Sequence, residues 1–306
     1  MSNKQKDTIG FSVLLILIST LGFSFFPIFG KIVFAGGANL ATVIFGRFAI
    51  AAVLFWTITI KREGFPRLPL KTWLTLWGMG GICYSIQAGL YISSILFIPA
   101  SLAALLLYAH PIIITVIAVL IKQEEFSRYK FAGLILSTFG LILVLGLALQ
   151  GINSYGVILA LSAAFVYSIY ILIGNKVLKT TSALVSTTII STSAALTYAL
   201  IGLLSIGGLT WNLPWGTWLG IGGMALFSTV IAMLTFFEGI KRIGPTSATI
   251  ISMTEPLMTV VLALILFNEN LTLLQGIGGI FVVMGGIVAV ISPSRNKIQQ
   301  VNSSIN

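Results

Sequence analysis

Charge is what this chain has least of. Only 8% of its 306 residues are Asp, Glu, Lys or Arg, while 57% are hydrophobic, and the mean hydropathy is +1.07. No soluble domain of this size needs so few charges, so a soluble enzyme or a nucleic-acid-binding domain is excluded despite the net charge of +10. Cysteine is represented by Cys83 alone, which rules out a disulfide within the chain. The single histidine, His110, cannot build a zinc site by itself. There is no G-x-x-x-x-G-K-[ST] loop to cradle a nucleotide, so direct drive by ATP is not expected. A Gly-x-Ser-x-Gly elbow is also missing. The expectation is a protein that is not an enzyme and that has no cofactor, no metal and no nucleic-acid partner.

Long apolar runs fill the space the charges leave. A membrane-crossing helix needs about 20 apolar residues. Ten such runs fit: 11–33, 39–60, 72–96, 99–121, 129–149, 155–176, 183–206, 215–239, 244–266 and 273–291. They are continuous rather than alternating, which argues against a β-barrel. The first follows a short basic stretch but is too long for a signal-peptide core and lacks a small-x-small cleavage site, so it reads as a retained span. Asn270-Leu271-Thr272 fits a glycosylation sequon, but in a loop this short it reads as chance.

When the loops are assigned alternately to the two sides, the basic residues segregate. Of the 17 Lys and Arg, only Lys31 and Arg47 fall off the side that holds Lys4, Lys6, Lys61, Arg62, Arg67, Lys71, Lys122, Arg128, Lys130, Lys176, Lys179, Lys241, Arg242, Arg295 and Lys297. The positive-inside rule places that side, and both termini, in the cytoplasm. A wrong helix count would scramble the asymmetry.

The chain also repeats itself at an offset of 145 residues. LPLKTWLTLWGM at 68–79 overlays LPWGTWLGIGGM at 213–224. Pro111 overlays Pro256, Glu124 overlays Glu269, and Gly133 and Gly140 overlay Gly278 and Gly285. Each copy holds five spans, an odd number, so the copies must lie upside down relative to each other. The predicted fold is therefore all-α and integral to the membrane, with ten transmembrane helices in two inverted five-helix repeats. The predicted boundaries are a cytoplasmic N-terminus at 1–10, a first repeat at 11–149, a second at 150–291 and a cytoplasmic tail at 292–306. Inverted repeats are a common plan of secondary transporters, with the substrate near the midplane between the halves. The rival classes are a polytopic membrane enzyme, and a channel or scaffold without coupled transport.

Pro111…Glu124…Gly133…Gly140 in one half, Glu255-Pro256…Glu269…Gly278…Gly285 in the other, and Gly46-Arg47-Phe48 in the second run resemble the EamA type of the drug/metabolite transporter superfamily over nearly the whole chain. The resemblance implies alternating-access transport of small organic metabolites, often export of metabolites or amino acids. One departure stands out. The family often shows Glu-Pro in both halves, but here the first copy reads His110-Pro111.

Ionisable groups inside hydrocarbon are expensive and usually face a cavity or a partner. His110 and Glu255 each lie about 16 Å along their runs, near the bilayer centre. Glu255 suits proton exchange with the substrate, or an ammonium on it; its structural alternative is a pair with Arg47 or His110. His110 could titrate or hydrogen-bond the substrate. Arg47 could clamp a carboxylate, although an interhelical tie is the favoured reading. Lys31, Lys176 and Glu238 sit near span ends and are read as snorkelling. Pro111 and Pro256 cannot donate to the carbonyls of Leu107 and Ser252, so a kink that frees a carbonyl is expected beside each ionisable residue; both are hinge candidates.

Tyr84, Gln87, Tyr91 and Ser94 fall on one helical face, Tyr167 and Tyr170 share another with Gly174, and Ser19, Phe23 and Phe26 a third. The candidate substrate set is thus Glu255, His110, Arg47, Gln87, Tyr84, Tyr91, Tyr167 and Tyr170. It suits an amphipathic neutral, zwitterionic or cationic molecule. The glycine-rich fifth and tenth runs are expected at the periphery, packing a flank or a homodimer contact. The lipid bilayer of a bacterial plasma membrane is the expected setting.

Overall fold

In the computed structural model, which describes residues 3–146, 153–204, 208–267 and 272–291, the chain is helical throughout and no strand occurs among the described residues. The first half holds α1 (Asn3–Ala35), α2 (Leu40–Arg62), α3 (Leu70–Gly78), α4 (Ser85–Ile95), α5 (Ala100–Leu107), α6 (His110–Leu120) and α7 (Arg128–Leu145). The second holds α8 (Ser154–Val177), α9 (Ala183–Leu204), α10 (Trp215–Ala225), α11 (Ala232–Ile243), α12 (Pro245–Ser252), α13 (Glu255–Phe267) and α14 (Leu273–Ile291). Glu269, Asn270-Leu271 of the sequon and the 292–306 tail lie outside the described residues.

Among the described residues, nine helical segments are long and apolar enough to cross a membrane. The remaining expected run, 72–96, is helical from Leu70 to Ile95 but is diluted by Tyr84, Gln87, Tyr91, Ser93 and Ser94, and does not count among the nine. The helix α1 also starts earlier than the expected 11–33.

The irregularities repeat along with the sequence. A π-helical turn, Met79–Tyr84, joins α3 to α4, and another, Leu226–Ile231, joins α10 to α11. A single extra residue per turn re-aims the side chains that follow. The fourth run of each half is interrupted rather than merely kinked: α5 stops at Leu107 and α6 starts at His110, while α12 stops at Ser252 and α13 starts at Glu255. Each of these four bounds matches its partner at the 145-residue offset. The cause is local. A proline at the second position of the new helix has no N–H to give the preceding turn, and its fixed φ suits a helix start.

Helices that match across the repeat pack against each other in opposite directions. Between α2 and α9, Thr59 shares a 2.7 Å hydrogen bond with Thr188, and Trp56 Nε1 donates to Thr192 at 3.0 Å, so rising numbers meet falling ones. Between α7 and α14, a Cβ on Gly140 would stand 2.5 Å from the Gly278 carbonyl oxygen, and one on Gly133 2.5 Å from that of Gly285. Only glycine allows backbones so close. Ser137 Oγ, midway between, donates to the carbonyl of Val282, its own counterpart 145 residues on. The glycines expected to mediate close packing are thus engaged between α7 and α14, which form a flank with its own small core of Leu134, Leu141, Ile250, Met253, Val282 and Ala289.

The main core runs through the other helices, with Phe48, Leu76, Met79, Ile171, Ile189, Ile190 and Phe237 fully buried. Across the repeats α1 packs on α10 and α11, while its counterpart α8 packs on α4. The two halves therefore interlock. The basic loops gather at one end, where Ser182 donates to Glu63, Asn175 to Gln123 and the Thr246 backbone N–H to Glu124. At the far end Asn39 donates to the Gly208 carbonyl, and Phe97 meets Tyr155 edge-on.

Candidate functional site

The two breaks face the middle of the bundle. At the first, the Leu107 carbonyl left without a backbone donor is met by His110 Nδ1 at 3.0 Å. A carbonyl only accepts, so Nδ1 carries the proton in this contact. The ring is 4% exposed. It lies edge-on to Tyr167, 4.9 Å between centroids, and 5.8 Å from Tyr108. Ser168 Oγ reaches the His110 carbonyl at 3.3 Å, so α8 closes over this break.

At the second break no side chain among the described residues donates to the freed Ser252 carbonyl. Glu255 opens α13 as the acid of its first turn. The acid thus comes from the second half, and Tyr91, Tyr108 and Tyr167 from α4, the first break and α8. Glu255 is half-buried, as are Tyr91, Tyr108 and Tyr167. The helix α1 borders the second break, with Thr254 Oγ1 directed to Thr20 Oγ1 at 3.5 Å and Thr20 to Met258 Sδ at 3.3 Å.

Tyr170 continues the cluster, stacked on Tyr167 at 5.9 Å and edge-on to Phe237. Gly174, on the same face, gives room to Met79 and Phe237. Tyr84 is set against Phe48 at 4.9 Å. Gln87 is half-buried on the same helical rod and makes no hydrogen bond among the described residues. The face expected to join Ser19, Phe23 and Phe26 divides: Ser19 and Phe23 turn to α11, through the Ala232 carbonyl and Phe236, whereas Phe26 lies against Arg47.

Arg47 stands apart from the carboxylate. Its Nε donates to Thr229 Oγ1 at 2.6 Å, Nη2 reaches the Ser228 carbonyl at 3.5 Å, and the guanidinium lies 4.8 Å from the Phe26 and Phe48 ring centres. It is 5% exposed and forms no ion pair among the described residues. Such a cation is held by ring faces and two oxygens instead of by an acid. Neither His110 nor Arg47 makes an ion pair with Glu255 among the described residues. These residues also contain no group of three or more His, Cys, Asp or Glu that could hold a metal.

Tyr108, Ser168, Thr229 and Thr20 were missed in the sequence. Tyr108 sits two residues before His110 in an apolar run, and only the helix break turns both toward the same space.

The ends of the broken helices are unequal. At the basic end α6 packs directly on α12. The pair related to it by the repeat, α13 on α5 at the far end, makes no comparable contact. Every residue of α12 from Pro245 to Ser252 is buried, whereas Ala104–Leu107 of α5 are half-buried. Glu124 secures the closed end: Oε1 accepts from the Thr246 N–H at 3.2 Å and Oε2 pairs with Lys130 Nζ at 2.8 Å. Among the described residues the broken helices are thus packed together at the basic end and not at the other.

Apolar rods in antiparallel repeats, broken at mid-depth around one carboxylate and a set of tyrosines, define a multi-pass membrane transporter architecture. The profile of the EamA-like transporter family matches residues 10–146 and 154–291. The chain belongs to that family. It is 28% identical over 287 residues to the uncharacterized transporter YcbK of Bacillus subtilis, covering 89% of this chain and 91% of that one. It is 24% identical over 253 residues to the uncharacterized transporter YyaM of the same organism, covering 79% and 82%. An uncharacterized transporter of Archaeoglobus fulgidus is 28% identical over 203 residues, covering 65% of this chain and 70% of that one. One solved crystal structure superimposes with a TM-score of 0.78 over 92% of this chain and 98% of the other, at 19% identity, a likeness of fold alone. The protein is an integral multi-pass membrane transporter.

Proposed function

We propose that this protein is a secondary active transporter of small organic metabolites, an amino acid, an amine or a drug-like molecule, that works by alternating access and exports its substrate from the cell. The observation that carries this reading is the broken symmetry of the gates. Two halves built alike would close both ends alike in a static scaffold. Here α6 meets α12 at the basic end while α5 and α13 stay apart at the other. Similar half-structures can exchange these arrangements at little energetic cost, and the second state would open toward the basic loops.

With ten spans and both termini in the cytoplasm, the positive-inside rule makes the basic end cytoplasmic, and the arrangement described faces outward. A bacterial plasma membrane suits the bacterial relatives. Glu255 is the group placed to exchange a proton for substrate, and Pro111 and Pro256 mark the hinges. The exposed face of Phe131, Ile135, Phe139, Ile280 and Ile287 on α7 and α14 is available to lipid or to a second copy.

Site-directed labelling tests alternation. In a Cys83→Ser background, Ala104→Cys on α5 and Thr249→Cys on α12 are reacted with a membrane-impermeant maleimide from each side. The expected result is reaction at 104 from the outer side and protection at 249, with a substrate gradient exchanging the two. Reactivity unchanged by any substrate panel, together with ion conductance in planar bilayers, would identify a channel instead.

A further inference from the structure

The basic end of the protein is not uniform. Among the described residues both ion pairs lie at the start of α7 and on α11, where Glu124 meets Lys130 and Glu238 meets Arg242. The corner where α2 runs into α3 carries more charge and no ion pair among those residues. Lys61 and Arg62 end α2, Arg67 lies in the connecting loop, and Lys71 stands in the first turn of α3; all four are exposed. The acid between them, Glu63, accepts a 2.8 Å hydrogen bond from the Ser182 hydroxyl instead of meeting a cation. That bond also draws in the loop before α9, which carries the exposed Lys179. Lys71 gains nothing from its own helix, since the positive end of the dipole disfavours a cation and no acid occupies that turn.

The loop sets apolar groups beside these charges. Gly64, at φ +75°, turns the chain back after α2. Phe65 then stacks on Trp56 with 5.7 Å between ring centroids, and Trp56 Nε1 is tied to Thr192 of α9. Trp56 lies about 9 Å along the axis from the end of α2, so Phe65 reaches that far back from the charged end. The next side chains alternate as in any extended stretch: Pro66 and Leu68 turn in, while Phe65 and Arg67 turn out. Phe65 is 70% exposed, and Ile60, Leu70 and Leu74 are 55%, 73% and 63% exposed. Cations interleaved with large bare apolar side chains make an interfacial surface, wet at one edge and oily at the other.

We propose that this corner binds a phospholipid with a net negative headgroup. Arg62, Arg67 and Lys71 meet the headgroup, with Lys61 and Lys179 at its margin, and one acyl chain lies over Phe65, Leu70 and Leu74. Each Lys or Arg at such a surface strengthens binding by about fivefold. The corners at α7 and α11 offer the same lipid less, because Glu124 and Glu238 already answer the cations beside them. The lipid site requires membrane insertion and nothing of the transport cycle.

The test uses the full chain in a neutral detergent, with thermal unfolding recorded against three probes: dioleoyl phosphatidylglycerol, dioleoyl phosphatidylcholine and glycerol 1-phosphate. Phosphatidylglycerol is expected to raise the unfolding midpoint with saturation. Phosphatidylcholine, with the same chains and no net charge, should bind at least about tenfold more weakly. Glycerol phosphate, the headgroup without chains, should give no shift over the same range. The phosphatidylglycerol shift should shrink as salt rises from about 0.05 M to about 1 M. Arg62→Gln, Arg67→Gln and Lys71→Gln together should weaken its binding at least about tenfold. Lys122→Gln, Arg128→Gln and Lys241→Gln together remove the same charge elsewhere and should change it by less than about threefold. Phe65→Ser, which removes apolar area and no charge, should weaken it a few-fold.

An equal shift with phosphatidylcholine, or a shift that ignores salt, would overturn recognition of charge. An equal shift with glycerol phosphate would make this a site for a free phosphate ester and not for a lipid. Undiminished binding in the corner variant, or equal loss in the two triple variants, would leave only the general charge of the basic end and overturn the site. If the corner variant does not elute as wild type on size exclusion, Phe65→Ser and the salt titration decide. No transported substrate enters these measurements, so their failure leaves the transporter reading standing, and absent flux in proteoliposomes leaves the lipid site standing.

Discussion

At the break between α5 and α6 the backbone is repaired from within, because His110 Nδ1 fills the Leu107 carbonyl and Ser168 reaches the His110 carbonyl. At the matching break between α12 and α13 the residue in that place is Glu255, which cannot donate when ionised, and no side chain among the described residues donates to the Ser252 carbonyl. The two backbones begin and end at matching positions, yet the residues that open the second helix differ in chemistry, a ring donor in one half and an acid in the other. Tyr108 packs its ring 5.8 Å from His110. The matching position in the second half is Met253, which is fully buried in the α7–α14 flank core.

The comparison is broken most directly by exchanging the two residues. The double variant His110→Glu with Glu255→His should abolish transport, as Glu255→Gln alone should, by about tenfold to hundredfold if one charged hydrogen bond is lost. Substrate flux in proteoliposomes measures this, and activity retained in the exchanged protein would mean that the halves are equivalent after all.

Next in size is the effect on stability, which should fall on the other residue. His110→Phe keeps a ring between Tyr108 and Tyr167 but leaves the Leu107 carbonyl unmet, at an expected cost of about 1–3 kcal/mol. Thermal unfolding should show a smaller loss for Glu255→Gln, which keeps the size of the side chain and an accepting oxygen. Tyr108→Phe removes one hydroxyl and should cost about 1 kcal/mol in substrate affinity, read as a several-fold rise in KM with kcat little changed. The mildest change, Glu124→Gln, loses the charge that pairs with Lys130 but keeps an oxygen for the Thr246 N–H. It should loosen the closed end by about 0.5–1 kcal/mol, visible as faster maleimide labelling at Thr249→Cys.

Much of this architecture is legible in the sequence because its causes are local. Apolar runs specify spans, and the 145-residue offset specifies two halves. Pro111 and Pro256 fix the breaks because a missing N–H acts on its own turn. The glycines on α7 and α14 are readable as close-packing faces, but their partners are not: Gly140 meets Gly278 only because equivalent helices return antiparallel. Arg47 is readable as a buried cation. That it lies between two phenylalanine rings, apart from Glu255, depends on how α2 sits against α1 and the turn before α11.

The sequence by itself determined the membrane setting, the duplication and the positions of His110 and Glu255 at mid-depth, since hydropathy, repetition and proline chemistry act within a few residues. Tertiary structure alone decided that Tyr108 and Tyr167 pack on His110, and that α6 closes on α12 while α5 and α13 make no comparable contact among the described residues. Those outcomes depend on how helices far apart in sequence meet, which no pattern within a few residues specifies.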